Sequence, residues 1–179
     1  MIKPSNPPLN IFLKPGEYCF AEQDTRIRTV LGSCVSITFW HPQLRVGGMC
    51  HYMLPKRSNI RWKDARPAPD GRYADEAIAL MLKKIDVVGA AYKEYQVTLL
   101  GGSHMFPGLR KNMTPLIGDQ NVQAGRQLIK HHRFLCMDEY QADTGYLNVV
   151  FEVWSGAVWI KRGDMPAATA TGPLDRSLK

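Results

Sequence analysis

The chain has 179 residues, of which 45% are hydrophobic, with a formal net charge of +7; this is the size and composition of one globular domain with a real core. No apolar run approaches the roughly 20 residues that a membrane helix needs, and the polar, proline-rich start does not read as a signal peptide. The expectation is a cytoplasmic protein with no membrane insertion.

Residues 1–13 hold Pro4, Pro7 and Pro8 and read as an extended arm, laid over the surface by Ile11, Phe12 and Leu13. Strands are expected near 17–22, 27–40 with a turn at Cys34, 45–53, 95–101, 134–141, 146–154 and 157–162. In the second of these, Val35, Ile37 and Phe39 alternate with Ser36, Thr38 and Trp40, the pattern of a strand with one buried face. Pro42 keeps His41 out of the helical region, so His41 to Leu44 reads as a turn into an antiparallel partner.

The stretch from Lys56 to Arg72 is basic, with Arg57, Arg61, Lys63 and Arg66 around Trp62. It reads either as a dock for an acidic partner or as a solvated loop. Ala74, Ala77, Ile78, Met81, Leu82 and Ile85 follow the i, i+3, i+4, i+7 rule, which predicts an amphipathic helix over 73–85. A second helix is predicted over 120–132, with Asp119 as its N-cap and His131 and His132 near its end. Gly101, Gly102 and Ser103 follow the 95–101 strand, where paired glycines permit close backbone contact, and they are candidate substrate-contacting residues. His104 is either a second imidazole near the pocket or a surface histidine. The tail 163–179, rich in Ala, Thr, Pro and Gly without periodicity, reads as disordered. The folded unit is therefore 14–162, an α+β single-domain α/β sandwich of mostly antiparallel strands with two main helices.

Chemistry concentrates on two residues, Cys34 and His51. Cys34 follows Gly32-Ser33 where a turn enters a strand, and amides at such a bend are suited to donating to an oxyanion. The hairpin that follows returns His51 toward that turn. A cysteine beside an imidazole is the minimum apparatus of thiolate catalysis: imidazolium lowers the thiol pKa, and the imidazole then moves protons. The bland alternative is a small core cysteine and a structural histidine. Cys50 reads as a buried strand residue. The four cysteines, Cys19, Cys34, Cys50 and Cys136, show no Cys-x-x-Cys pair, which argues against a zinc site or disulfide framework.

The string Thr29-Val30-Leu31-Gly32-Ser33-Cys34-Val35, followed by Gly47-Gly48-Met49-Cys50-His51-Tyr52-Met53-Leu54-Pro55, resembles the signature of the CheD family, the chemoreceptor glutamine deamidases of bacterial chemotaxis. Further motifs match in order: Lys14-Pro15-Gly16-Glu17-Tyr18, Arg72-Tyr73-Ala74-Asp75-Glu76-Ala77-Ile78, Gly101-Gly102-Ser103-His104 and Ile117-Gly118-Asp119-Gln120-Asn121-Val122. The resemblance runs from about Lys14 to Arg162. It implies a cysteine-hydrolase architecture like that of deamidase toxins, with Cys34 as nucleophile, His51 as acid and base, Thr29 as the third functional residue, and Gly32 and Ser33 supporting the oxyanion. It further implies hydrolysis of receptor glutamine side chains to glutamate through a Cys34 thioester, with no metal or cofactor. The implied partners are chemoreceptor cytoplasmic helices and a chemotaxis phosphatase of the CheC type.

Other classes of function remain in view. A non-catalytic chemotaxis protein that binds receptors or the phosphatase would keep the same fold, and a cysteine hydrolase acting on another amide or ester would keep the same pair. A nucleic-acid module is the reading that the charge alone would favour, but no nucleic-acid motif accompanies it.

Overall fold

The computed structural model describes residues 7–57, 68–104 and 116–163. Its strands are β1 (Leu9–Phe12), β2 (Tyr18–Ala21), β3 (Thr25–Leu31), β4 (Val35–His41), β5 (Val46–Tyr52), β6 (Gln96–Gly101), β7 (Leu135–Tyr140), β8 (Tyr146–Glu152) and β9 (Ala157–Gly163). Its helices are α1 (Ala74–Val88) and α2 (Ile117–His131). They build two sheets, one ordered β1-β3-β8-β9 and the other β2-β5-β4-β6-β7. Only β1 with β3 and β6 with β7 run parallel; the other strand pairs are antiparallel.

Both helices cover one face of the five-stranded sheet, α1 on β2 and β5, α2 on β4 and β6. Ile37, Tyr52, Ile78, Met81, Leu99 and Val122 fill that layer. The opposite face meets the four-stranded sheet through Ile27, Leu31, Met49, Leu100, Leu147 and Phe151. The domain is thus an α/β sandwich of three layers, each sheet burying an apolar face against its neighbour.

Three local expectations change. The run 27–40 is two strands in two different sheets, and the chain crosses from one sheet to the other at Gly32-Ser33-Cys34. β4 is buried on both faces, because it is central in its sheet, with helices on one side and the second sheet on the other. Its polar residues are tolerated there because they bond internally: Ser36 Oγ donates to the Cys50 carbonyl at 2.6 Å. Asp119 is not an N-cap. α2 begins one turn's fraction earlier, after Leu116 and without a side-chain cap, and Asp119 lies in its first turn, where a carboxylate suits the helix dipole.

The arm contains a strand that periodicity did not reveal. Residues 9–12 pair in register with Thr25 to Arg28, Leu9 opposite Thr25 and Phe12 opposite Arg28. Leu13 follows with its side chain in the core at 3% exposure. Residues 1–6, most of the basic segment (58–67) and the tail from 164 lie outside the described residues. Of the basic residues that are described, Arg57 is held by Glu76 at 2.5 Å and Arg72 by Asp70 at 2.5 Å.

Candidate active site

The site forms where the two sheets share a chain crossing. In the β4–β5 ladder His51 stands opposite Ser36. Cys34 is two residues before Ser36, and alternation puts it on the same face, one diagonal step from His51. Both reach the space between the sheets: Cys34 packs on the inter-sheet core, and His51 meets Thr29 of β3 across it. The thiol is half-buried and the imidazole is only 2% exposed.

Thr29 determines which imidazole nitrogen is basic. Its hydroxyl donates to the Leu13 carbonyl at 2.8 Å, which uses its only hydrogen. The 2.8 Å contact with His51 Nδ1 is then one in which Nδ1–H donates and the threonine oxygen accepts. His51 Nε2 carries the lone pair, and this buried atom has no hydrogen-bond partner among the described residues. Carbonyl, hydroxyl and imidazole form a chain that orients the base, much as a carboxylate does in a serine-protease triad. The backbone of His51 is pinned too: its N–H donates to the Glu17 carbonyl at 3.0 Å, and Gly16 N–H donates to its carbonyl at 2.7 Å. The segment Leu13 to Glu17 therefore fixes both the main chain and the tautomer of the histidine.

The cysteine turn is braced from behind. Gly102 N–H donates to the Cys34 carbonyl at 2.8 Å, and Ser103 N–H to the Gly32 carbonyl at 2.9 Å. A Cβ on Gly101, which has φ +110, would stand 2.3 Å from the Cys34 carbonyl oxygen, so only glycine permits this approach. Ser103 is 1% exposed and its hydroxyl donates to the Gly145 carbonyl at 2.6 Å. The structure thus sets Gly101, Gly102 and Ser103 against the backbone of the cysteine turn.

The electrostatics differ from the expected thiolate and imidazolium. Burial holds the His51 pKa down to about 4, against smaller opposing pulls from the Leu13 carbonyl and the Glu17 charge. Burial raises the Cys34 thiol, partly offset by its own backbone N–H beside the sulfur. Both shifts favour the uncharged forms at neutral pH, thiol and neutral imidazole, and a neutral imidazole is a form that can accept a proton. Cys50 is fully buried against the Ile37 carbonyl, and its thiol is pushed up to about 12, which leaves it inert.

The remaining candidates sit apart from this pair. His104 Nε2 meets Asp119 Oδ1 at 3.0 Å, and Gln141 Nε2 donates to the same oxygen at 3.0 Å. A groove of about 680 Å³ is lined by Lys56, Asp75, Gln123, Leu128 and His131 among others, and none of Thr29, Cys34 and His51 lines it. Among the described residues no three His, Cys, Asp or Glu side chains are grouped to hold a metal ion. Among the described residues no helix is long and apolar enough to cross a membrane.

One residue escaped the sequence reading. Asn121 on α2 is 0% exposed, and its Nδ2 donates to the Ser33 carbonyl at 3.0 Å and the Met53 carbonyl at 2.7 Å. The signal is positional. The buried face of α2 is Gly118, Asn121, Val122, Gly125 and Ile129, so a carboxamide occupies a place in the core-facing stripe where an apolar side chain is the norm.

The model of the family described as "CheD chemotactic sensory transduction" matches residues 53–162, and a protein of Pseudomonas savastanoi pv. phaseolicola is 46% identical over 159 residues, 88% of this chain and 86% of its own. The chain belongs to the CheD family. A Dechloromonas aromatica CheD is 46% identical over 84% of this chain and 85% of its own, and a Pseudomonas fluorescens CheD is 42% identical over 87% and 85%. These relatives are named probable chemoreceptor glutamine deamidases. The CheD family match begins just after His51, but the longer of these alignments, in a chain of this length, must take in Thr29, Cys34 and His51. Among solved structures, the hypothetical protein YfiH of Bacillus licheniformis overlaps with a TM-score of 0.43 at 12% identity, over 69% of this chain and 49% of that one.

Proposed function

We propose that this CheD protein is a cysteine-dependent protein-glutamine deamidase that converts glutamine side chains of chemoreceptors to glutamate. The observation that carries the reading is the hydrogen-bonded chain Leu13 carbonyl, Thr29 hydroxyl, His51 Nδ1, which leaves Nε2 as the basic nitrogen, without a partner among the described residues, on the same sheet face as the half-buried Cys34 thiol. Family membership supplies the substrate class, since the relatives bear the name of chemoreceptor glutamine deamidases.

In this mechanism His51 Nε2 takes the proton of the Cys34 thiol as sulfur attacks the side-chain carboxamide carbon. The carbonyl oxygen gains the negative charge, and the Cys34 N–H that lies beside the sulfur donates to it, with Gly32 and Ser33 shaping the bend. The imidazolium returns its proton to the amide nitrogen, the C–N bond breaks, and ammonia leaves a γ-glutamyl thioester. Water then gives a proton to His51 and its hydroxide equivalent to the thioester carbon. Glutamate departs as the sulfur recovers the proton. Gly101, Gly102 and Ser103 serve this scheme by holding the turn, and Thr29 by holding the tautomer.

Chemoreceptor helices as substrate place the protein's work in the cytoplasm, and the resemblance adds a phosphatase of the CheC type as a regulatory partner. The test is ammonia release from a purified chemoreceptor cytoplasmic fragment of the same organism. Release in step with conversion of glutamine to glutamate is the expected result. Stable binding with every glutamine intact would replace this reading with the non-catalytic interaction protein.

A further inference from the structure

Asn121 is the buried polar group that the mechanism leaves unused. It donates both hydrogens of its side-chain amide to backbone carbonyls on either side of the reacting pair: Ser33, one residue before Cys34, and Met53, two residues after His51. The amide orientation is settled by these neighbours, because the flipped form would set Oδ1 against two carbonyl oxygens. Oδ1 itself is buried and has no partner among the described residues. A buried carboxamide with one end unpaired calls for an explanation, and the two bonds donated by its other end offer one.

The helix that carries it is held close for the purpose. Tyr52, adjacent to His51, donates its hydroxyl to the Asn121 main-chain carbonyl at 2.9 Å. A Cβ on Gly125 would stand 2.5 Å from that same hydroxyl, so a small residue one turn on lets α2 approach the sheet. The nucleophile sits in a turn between two sheets and the base sits on a strand of one sheet. No ladder bond of β4 with β5 extends past Val35 and Tyr52 to tie that turn to the end of β5.

We propose that Asn121 is a positioning residue that clamps the Cys34 turn to the end of the His51 strand and so sets the approach of sulfur to Nε2. The inference rests on Cys34 and His51 being the reacting pair. An alignment role predicts a loss in kcat without a loss in substrate binding, since the receptor surface is untouched.

The experiment compares wild type, Asn121→Asp, Tyr52→Phe and Cys34→Ala. It measures steady-state deamidation of a receptor cytoplasmic fragment and peptide-resolved iodoacetamide labelling of Cys34, with melting curves to establish folding. Asn121→Asp keeps the size but turns an oxygen toward the two carbonyls. The expected result is a kcat lowered about a hundredfold with KM unchanged, and slower labelling of Cys34 because its base is misaligned. A merely structural role would loosen the turn and speed the labelling. Wild-type kcat, or faster labelling with a raised KM, overturns the proposal. Should Asn121→Asp fail to fold, Tyr52→Phe decides: a several-fold fall in kcat at constant KM supports the clamp, and an unchanged kcat overturns it. Deamidation that survives in Cys34→Ala would instead refute the nucleophile, whatever the Asn121 result.

Discussion

Thr29→Val removes one hydroxyl from the centre of the site while keeping the branched shape of the side chain. Two buried groups lose their partner, the Leu13 carbonyl and His51 Nδ1–H. Each unsatisfied buried group costs about 1–3 kcal/mol, so the loss of stability is about 3 kcal/mol after partial relaxation, or roughly 6–12 °C in melting temperature for a domain of this size. The larger effect is on chemistry. With the threonine oxygen gone, Nδ1–H keeps only the Leu13 carbonyl as a nearby acceptor, the tautomer with its hydrogen on Nε2 gains population, and in that form Nε2 is not a base. Loss of the orienting partner in an analogous triad costs about 10⁴ in kcat; here a fall of about a hundredfold or more is expected, with Thr29→Ser retaining most of the activity. Mass spectrometry of a receptor fragment gives kcat, and calorimetry gives the melting temperature, for both variants. Thr29→Val with wild-type kcat would refute the argument that Thr29 selects the tautomer, even if the protein melts earlier.

Four further outcomes follow from the same geometry. Because the His51 pKa is held down from 6.5 to about 4, the unfolded chain binds a proton between these values that the folded chain does not. Stability is therefore complete above about 6.5 and falls as pH drops toward 4, by about 3 kcal/mol in all; urea titrations of wild type and His51→Ala across this window should show the slope in the first and its loss in the second. For the same reason the acid limb of kcat/KM is expected near 4 rather than near 6.5, as measured by ammonia release across pH. Cys50→Ala, at a thiol pushed up to about 12 and buried against Ile37, should cost about 1–2 kcal/mol in a melt through lost packing and leave kcat unchanged. Gly101→Ala brings a Cβ to 2.3 Å from the Cys34 carbonyl at φ +110, so both melting temperature and kcat should fall.

What the sequence made legible was local. The helix over 73–85 and most strands were readable because each carries its own period, and the Cys34 to His51 hairpin was readable because Pro42 marks its turn. The division into two sheets was not, because only three residues separate β3 from β4 and nothing in their alternation says that the two strands pair with different partners. β1 escaped because four residues next to prolines are too short for a period, and its pairing partner begins at Thr25. Cys34 and His51 were visible as residue types, whereas their charge state was not: the neutral forms follow from burial between sheets, which spacing cannot convey. The Leu13 carbonyl carries no side-chain signature at all, and Asn121 shows itself only as a polar residue out of place in the apolar stripe of α2.

The proposed mechanism needs both Cys34 and His51 for deamidation. Its most direct test is intact-mass analysis of a chemoreceptor cytoplasmic fragment after incubation with wild type, Cys34→Ala or His51→Ala at equal concentration, each variant first shown to be folded. Wild type should add about one mass unit per converted glutamine, as –NH₂ is replaced by –OH, and neither variant should add any. Conversion by Cys34→Ala at the wild-type rate would contradict the mechanism.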